Sequence, residues 1–291
     1  MIVDWQVYYD AAKKCHDLAA DLRDADKPVH AAVKGECAGM AGDAPGCKEW
    51  GQTYDHAAQQ TMQTNSSLAN ALTNFGCVLY ANGYNYGIAN NSNPPPSLPT
   101  MDQVGQYQVT IPTSVADNGI GIHHDGGVEE FFDTLVSKVI GKFGKLPNGD
   151  VDKLAKADST WATFAKHPTI TGASVRISAI SDLFDGMDDR ANLQLIQDHF
   201  GTLRTGADNV VTTAQNMAAP VADYHTGTVS VSNSISSAIS SSEWAIGLTA
   251  AVAGAVGVIH AFDEVPDLEK KYRRTRSYHW HESDHCCGQL F

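Results

Sequence analysis

The stretch CKEWGQTYDHAAQQTMQTNSSLANALTNFGCVLYANGYNY, residues 47–86, decides the fold. Its Trp50, Tyr54, Ala57, Thr61, Asn65, Leu68, Leu72, Phe75 and Leu79 recur in steps of three and four, the spacing of one face of an α-helix. Helical from end to end, it is about 60 Å long at roughly 1.5 Å per residue. Thr61 and Asn65 interrupt the apolar seam, where they either set register or are tolerated defects. The same spacing runs before it through Tyr8, Ala11, Cys15, Leu18, Leu22, Ala25 and Val29. Asp4 is the expected N-cap of that first helix, and Pro28 is expected to bend or interrupt its last turns. Between the stripes lies GECAGMAGDAPG, residues 35–46, dense in residues that permit tight reversals. Two amphipathic helices joined by a short turn pack antiparallel, because each large apolar side chain gains roughly 1.5 to 3 kcal/mol on leaving water.

Outward from this hairpin, Asn90 to Pro99 carries a proline run and no apolar period, which reads as an extended linker. Residues 105–127 alternate weakly through Tyr107, Val109 and Ile111 and then become Gly-rich, as in a short strand or extended crossover. Val128 to Phe143 reads as a helix, and Leu146-Pro147-Asn148-Gly149-Asp150 as its stop and the next start. Helical spacing resumes at Val151 through Leu154, Trp161 and Phe164, breaks at His167-Pro168, and returns from about Ala173 to Phe184. The longest seam follows: Leu193, Ile196, Phe200, Leu203, Ala207, Val210, Ala214, Met217, Val221, Tyr224, Thr228, Val231, Ile235 and Ala238. Its strict alternation of three and four implies coiled-coil-like packing, with a kink expected at Pro220. The expected architecture is all-α: a helical hairpin over 1–90, a Pro/Gly-rich linker and crossover over 91–127, a second helical module over 128–265, and a disordered or aberrant tail over 266–291.

With 291 residues, 43% of them hydrophobic, the chain can bury the cores of two such modules. A net charge of −13 opposes nucleic-acid binding, which requires clustered Lys and Arg. The opening Met-Ile-Val-Asp-Trp-Gln lacks the basic start and apolar run of a signal peptide, so export is expected to use another route. Six cysteines, with no CxxC pair, make neither a disulfide scaffold nor a zinc ribbon. Cys37 and Cys47 stand at equal distances from Gly42, so antiparallel helices turning there would bring them close enough for a disulfide; Cys15 and Cys77 would stand about two helical turns apart.

Gly39-Met40-Ala41-Gly42, then Trp50 and Tyr54-Asp55, then Ala81-Asn82-Gly83-Tyr84-Asn85 resemble the divergent WXG-type hairpins that open long mycobacterial type VII (ESX) secretion effectors and polymorphic toxins. Met40-Ala41-Gly42 stands where that family has Trp-x-Gly, so the namesake tryptophan is missing and Trp50 lies in the following helix. Leu146 to Asp150, Leu154 and Trp161-Ala162-Thr163-Phe164 are similar to the connector that introduces a second helical module in the same proteins. The resemblance covers roughly residues 1–255. It implies a chain exported by type VII secretion to the envelope or beyond, paired with a small WXG-type hairpin protein or the secretion machinery, and normally followed by a C-terminal toxin domain. The family's Tyr-x-x-x-Asp/Glu signal has one match here, Tyr278 with Glu282 in the tail, about what chance supplies.

Candidate chemistry is sparse. His279-Trp280-His281-Glu282-Ser283-Asp284-His285-Cys286-Cys287 contains residues that bind transition metals, but in no zinc spacing, and reads first as a disordered or aberrant tail; a shifted reading frame that removed a toxin domain is one hypothesis for the compositional break after Asp267. His123-His124-Asp125 with Glu129 sits in a Gly-rich crossover, and Asp185, Asp188 and Asp189 surround Gly186; both read more plainly as solvated loops. Trp244 to Phe262 is an uncharged run of about the length needed to cross a bilayer, yet its alanines and glycines suit a buried helix as well. The expectation is therefore a non-catalytic, cofactor-free partner-binding module, open to membrane contact or homo-oligomerisation, with Trp50 and Tyr54 as anchors either for a partner or for the seam. The alternatives are a membrane-active protein inserting 244–262 and a metal-dependent enzyme using the tail.

Overall fold

The computed structural model describes residues 3–100, 104–105, 107–121, 141, 144–187 and 190–240. Helix α1 (Trp5–Ala31) starts where expected, the Asp4 carboxylate accepting from the Gln6 N–H at 2.9 Å. Pro28 does not end it. The chain stays helical and widens into a π-helical turn over Ala32–Glu36, because Val29, Ala32 and Val33 keep an apolar inner face buried and so outweigh one missing donor. Helix α2 (Cys47–Ala89) departs from Gly46, whose N–H is held by the Glu49 carboxylate at 2.5 Å.

Helix α3 (Val151–Ala165) is capped by Asp150, which accepts from Lys153 N–H at 3.1 Å. Helix α4 (Pro168–Ser181) begins five residues earlier than the apolar spacing suggests, with proline in its first turn and His167 Nδ1 accepting from Thr169 N–H. A 3-10 turn (Asp182–Phe184) and Gly186, at φ +82°, lead to α5 (Arg190–Ser240). Helix α5 runs through Pro220 without a break and is roughly 75 Å long. The described residues contain no strand, so 107–121 is an extended crossover and the protein is all-α. Val128 to Phe143 as an element, His123 to Asp125 with Glu129, Asp188, Asp189, Trp244 to Phe262 and the His/Cys-rich tail lie outside the described residues.

Helices α1 and α2 pack antiparallel, burying Leu18 and Leu22 against Leu68, Leu72 and Leu79. Glycines on α2 allow the approach: a Cβ at Gly83 would strike Tyr8 and Tyr9, and one at Gly76 would strike the His16 ring. Asn65 crosses the seam, its amide donating to Leu22 carbonyl at 3.3 Å, while the Thr61 hydroxyl bonds within its own helix to Ala57. His16 lies against Thr73, Gly76 and Cys77, its Nε2 3.8 Å from the Cys77 sulfur. Cys77 therefore sits next to the Cys15 level of α1, closer than a reversal centred on Gly42 would place it; the π-turn and a longer loop move the centre.

Two helices leave half of each stripe uncovered, and the chain closes it from within. Trp161, Ile170, Ile177 and Phe184 come from α3, α4 and the 3-10 turn, and the α5 seam from Ile196 through Val231 is buried at every expected position described. Phe184 meets the Tyr8 ring edge-on at 5.1 Å and Phe200 meets Phe75 at 5.0 Å, so the helices on both sides of the linker share one continuous core.

His199 of α5 lies over Phe75 with ring centroids 4.1 Å apart, and burial pushes its pKa below the usual 6.5. The folded state disfavours its charged form, so its contribution is complete above about pH 6.5, the unfolded value, and declines as pH falls toward the depressed folded value. Urea midpoints measured between pH 7.5 and 5 should fall less steeply for His199→Phe than for the unaltered protein. Equal slopes would show that this histidine is not taxed by its site.

Candidate functional site at the hairpin turn

The backbone of the turn over Gly39–Gly42 is engaged from several other parts of the chain. Gly39 and Gly42 adopt φ of +75° and +80°, a left-handed conformation that suits glycine. Met40 and Ala41 between them are fully buried. The backbone groups of such a turn need partners, and while Met40 N–H donates locally to Cys37 carbonyl, several partners come from other parts of the chain. Gly39 N–H donates to Thr113 carbonyl and Ala41 N–H to Ser114 carbonyl, at 3.2 and 2.8 Å. Met40 carbonyl accepts from Asp150 N–H at 2.9 Å, and Ala41 carbonyl from the Tyr224 hydroxyl at 2.8 Å.

Asn148 completes the lock. Its Oδ1 accepts from the N–H groups of Asp43 and Ala44, both at 3.0 Å, while its Nδ2 donates to Asp43 Oδ1 and Gly119 carbonyl. It sits so close over Gly42 that no Cβ fits there. Lys145 lies between Asp43 at 2.5 Å and Asp117 at 2.6 Å, and its ammonium holds both carboxyls below the usual carboxylate range.

The two expected anchors stand beside the turn, and both face inward. The half-buried Trp50 ring stacks on Tyr224 at 3.8 Å with 8° between planes, and on Tyr54 at 5.4 Å. Tyr54 is buried and its hydroxyl accepts from Trp161 Nε1 at 3.0 Å; burial raises its pKa above the ordinary tyrosine value. Trp50 and Tyr54 thereby tie α2 to α3 and α5 as seam anchors. Cys37 and Cys47 are buried free thiols, not the disulfide that a symmetric reversal at Gly42 would allow. Burial pushes Cys37 up to about 11, Cys15 up to about 12, and Cys47 upward too, which makes all three poor nucleophiles.

The arrangement is a polar tie around an aromatic stack. Its donors and acceptors are directed at each other, and among the described residues no three His, Cys, Asp or Glu side chains gather as a metal would require. Sequence reasoning found Trp50, Tyr54 and the glycines but missed the role of Asn148, since an isolated polar residue carries no periodic signal; Asn148 was legible only as part of a turn.

The class this defines is an all-α protein whose hairpin turn is clasped by its own crossover. Comparison with known proteins adds a partial likeness. Over 132 residues the chain is 33% identical to the outer membrane channel protein CpnT of Mycobacterium tuberculosis (strain ATCC 25618 / H37Rv), and equally to that of Mycobacterium bovis (strain BCG / Pasteur 1173P2). The shared stretch covers 43% of this chain and 14% of those proteins, so the chain spans only a small part of the length of the relatives it matches. No protein-family model matches, and no solved structure matches.

Asn148→Ala should destabilise the fold by about 1 to 3 kcal/mol, since it strands the buried N–H of Ala44. Gly42→Ala should cost more than Gly35→Ala, because nothing stands within 4 Å of a Cβ at Gly35 and its φ is not positive. Chemical denaturation of the three variants checks the order; a Gly35→Ala penalty matching that of Gly42→Ala would contradict it.

Proposed function

We propose that this chain is a non-catalytic secretion-targeting and partner-binding module of a type VII secretion substrate, delivered to the cell envelope or beyond. The observation that carries the reading is the match to 14% of a mycobacterial outer membrane channel protein. A helical body similar to a minor part of a much longer envelope protein is better suited to delivery and docking than to the channel itself. The α1–α2 hairpin and the glycine-rich turn, where the WXG-type resemblance falls, support the same reading.

The partner is a small WXG-type helical-hairpin protein or a component of the secretion machinery. Because α3 to α5 already cover the hairpin's apolar seam, that partner engages the outer surfaces of the bundle. A second reading, membrane activity, is favoured by the word channel in the relatives' name. None of the described helices is long and apolar enough to span a bilayer, so this reading rests on residues 244–262.

The test is an export assay in an actinobacterial host. Tagged protein should reach the envelope or culture filtrate, and should co-purify with a small helical protein; both should be lost in a strain lacking type VII secretion for export and lacking the small protein for the complex. Undiminished export from the secretion-deficient strain would sink the proposal. Release of dye from liposomes by the full chain would favour the membrane reading instead.

A further inference from the structure

Residues 107–115, YQVTIPTSV, carry no charge and no secondary structure, yet their backbone is gripped along its length. Asp55, Gln59 and Gln63 stand on α2 at four-residue intervals and so form a row on one face. The Gln63 amide donates to Tyr107 carbonyl at 3.0 Å and accepts from Val109 N–H at 2.8 Å, and Gln59 donates to Val109 carbonyl at 2.8 Å. The Asp55 carboxylate accepts from Ser114 N–H and the Thr113 hydroxyl. On the opposite side the turn supplies the N–H groups of Gly39 and Ala41 to the Thr113 and Ser114 carbonyls.

Side chains are held at several points, with Ile111 partly buried against the core, Val115 against Gly51 and Thr113 on Asp55, and are buried at two. Val109 is fully buried, and Ser114 is buried with its hydroxyl donating to Gly51 carbonyl, in space that a Cβ at Gly51 would close. Tyr107, Gln108, Thr110 and Pro112 are exposed. This is the recognition mode of an added strand, in which main-chain bonds hold the peptide and alternate pockets select it, with side-chain amides of a helix in place of a sheet edge.

We propose that the trough between this row and the turn is a docking site for an extended peptide, filled here by residues 107–115. An extended, uncharged partner segment with a valine-like residue five positions before a serine takes the site when the chain's own segment lifts. The inference rests on the partner-binding reading above and names the chemistry of that partner. Tethering gives the chain's own segment an effective concentration in the millimolar range, so an incoming peptide competes only when that segment is weakened.

The probe is a fluorescein-labelled synthetic peptide of residues 105–118, titrated by anisotropy into the full chain. It should bind at least tenfold more tightly to a Val109→Asp, Ser114→Pro protein than to the unaltered one, and Asp55→Ala with Gln63→Ala in that background should remove at least tenfold of the gain. Equal binding to both proteins, or binding indifferent to Asp55 and Gln63, overturns the proposal. Should the weakened protein fail to fold, hydrogen exchange on the unaltered chain decides. The amides of Gly39, Ala41, Val109 and Ser114 should exchange at least tenfold faster than those of Leu68 and Leu72, and exchange at one common rate shows that the segment never lifts alone. These measurements involve no export or partner complex, so their failure is distinguishable from failure of the secretion reading.

Discussion

Two amphipathic helices laid side by side shield only part of each other, and the uncovered half of the α1–α2 stripe is the constraint from which the rest of this structure follows. A stripe that carries Tyr8, Leu18, Leu22, Leu68, Leu72 and Phe75 cannot remain in water. The chain meets the requirement itself, by returning α3, α4 and a very long α5 across the same face. That return explains the length of α5: it must run along the hairpin from the Phe75 level, where Phe200 packs, to the turn, where Tyr224 reaches Ala41.

Apolar burial is without direction, and a continuous core of alternating three and four spacing would tolerate a slip of one turn. Polar contacts at defined places remove that freedom. Asn65 to Leu22 and Arg23 to Asn70 and Thr73 fix α1 against α2. Tyr224, Asp150 and Asn148 fix the turn against α5 and the start of α3. The aromatic stack of Trp50 between Tyr54 and Tyr224 lies where these two systems meet, so it reports on both.

The helices were legible because burial imposes a period, and period survives in sequence. Every described core position of the α5 stripe between Ile196 and Val231 lies where the three and four steps put it. What failed was legible only in three dimensions. The start of α4 was set by His167 and Pro168, a cap and a permitted first-turn proline, and the apolar spacing began too late to show it. A π-turn after Pro28 carries the chain beyond the simple reversal that the spacing suggested, and Cys37 and Cys47 are free thiols. Asp55, Gln59 and Gln63 fall outside the apolar period of α2, and a polar row that binds backbone has the same composition as one that binds water.

That last ambiguity bears on how such a body can take a partner at all. With the apolar seam already closed, hydrophobic docking on it would require prying the bundle apart against the whole core. Contacts made through side-chain amides and a glycine turn are different, because each net hydrogen bond contributes only about 0.5 to 1.5 kcal/mol and is readily exchanged for an equivalent one. The clasped turn is therefore the place where this fold holds one of its own segments mainly through polar contacts, with Val109 as that segment's fully buried apolar side chain.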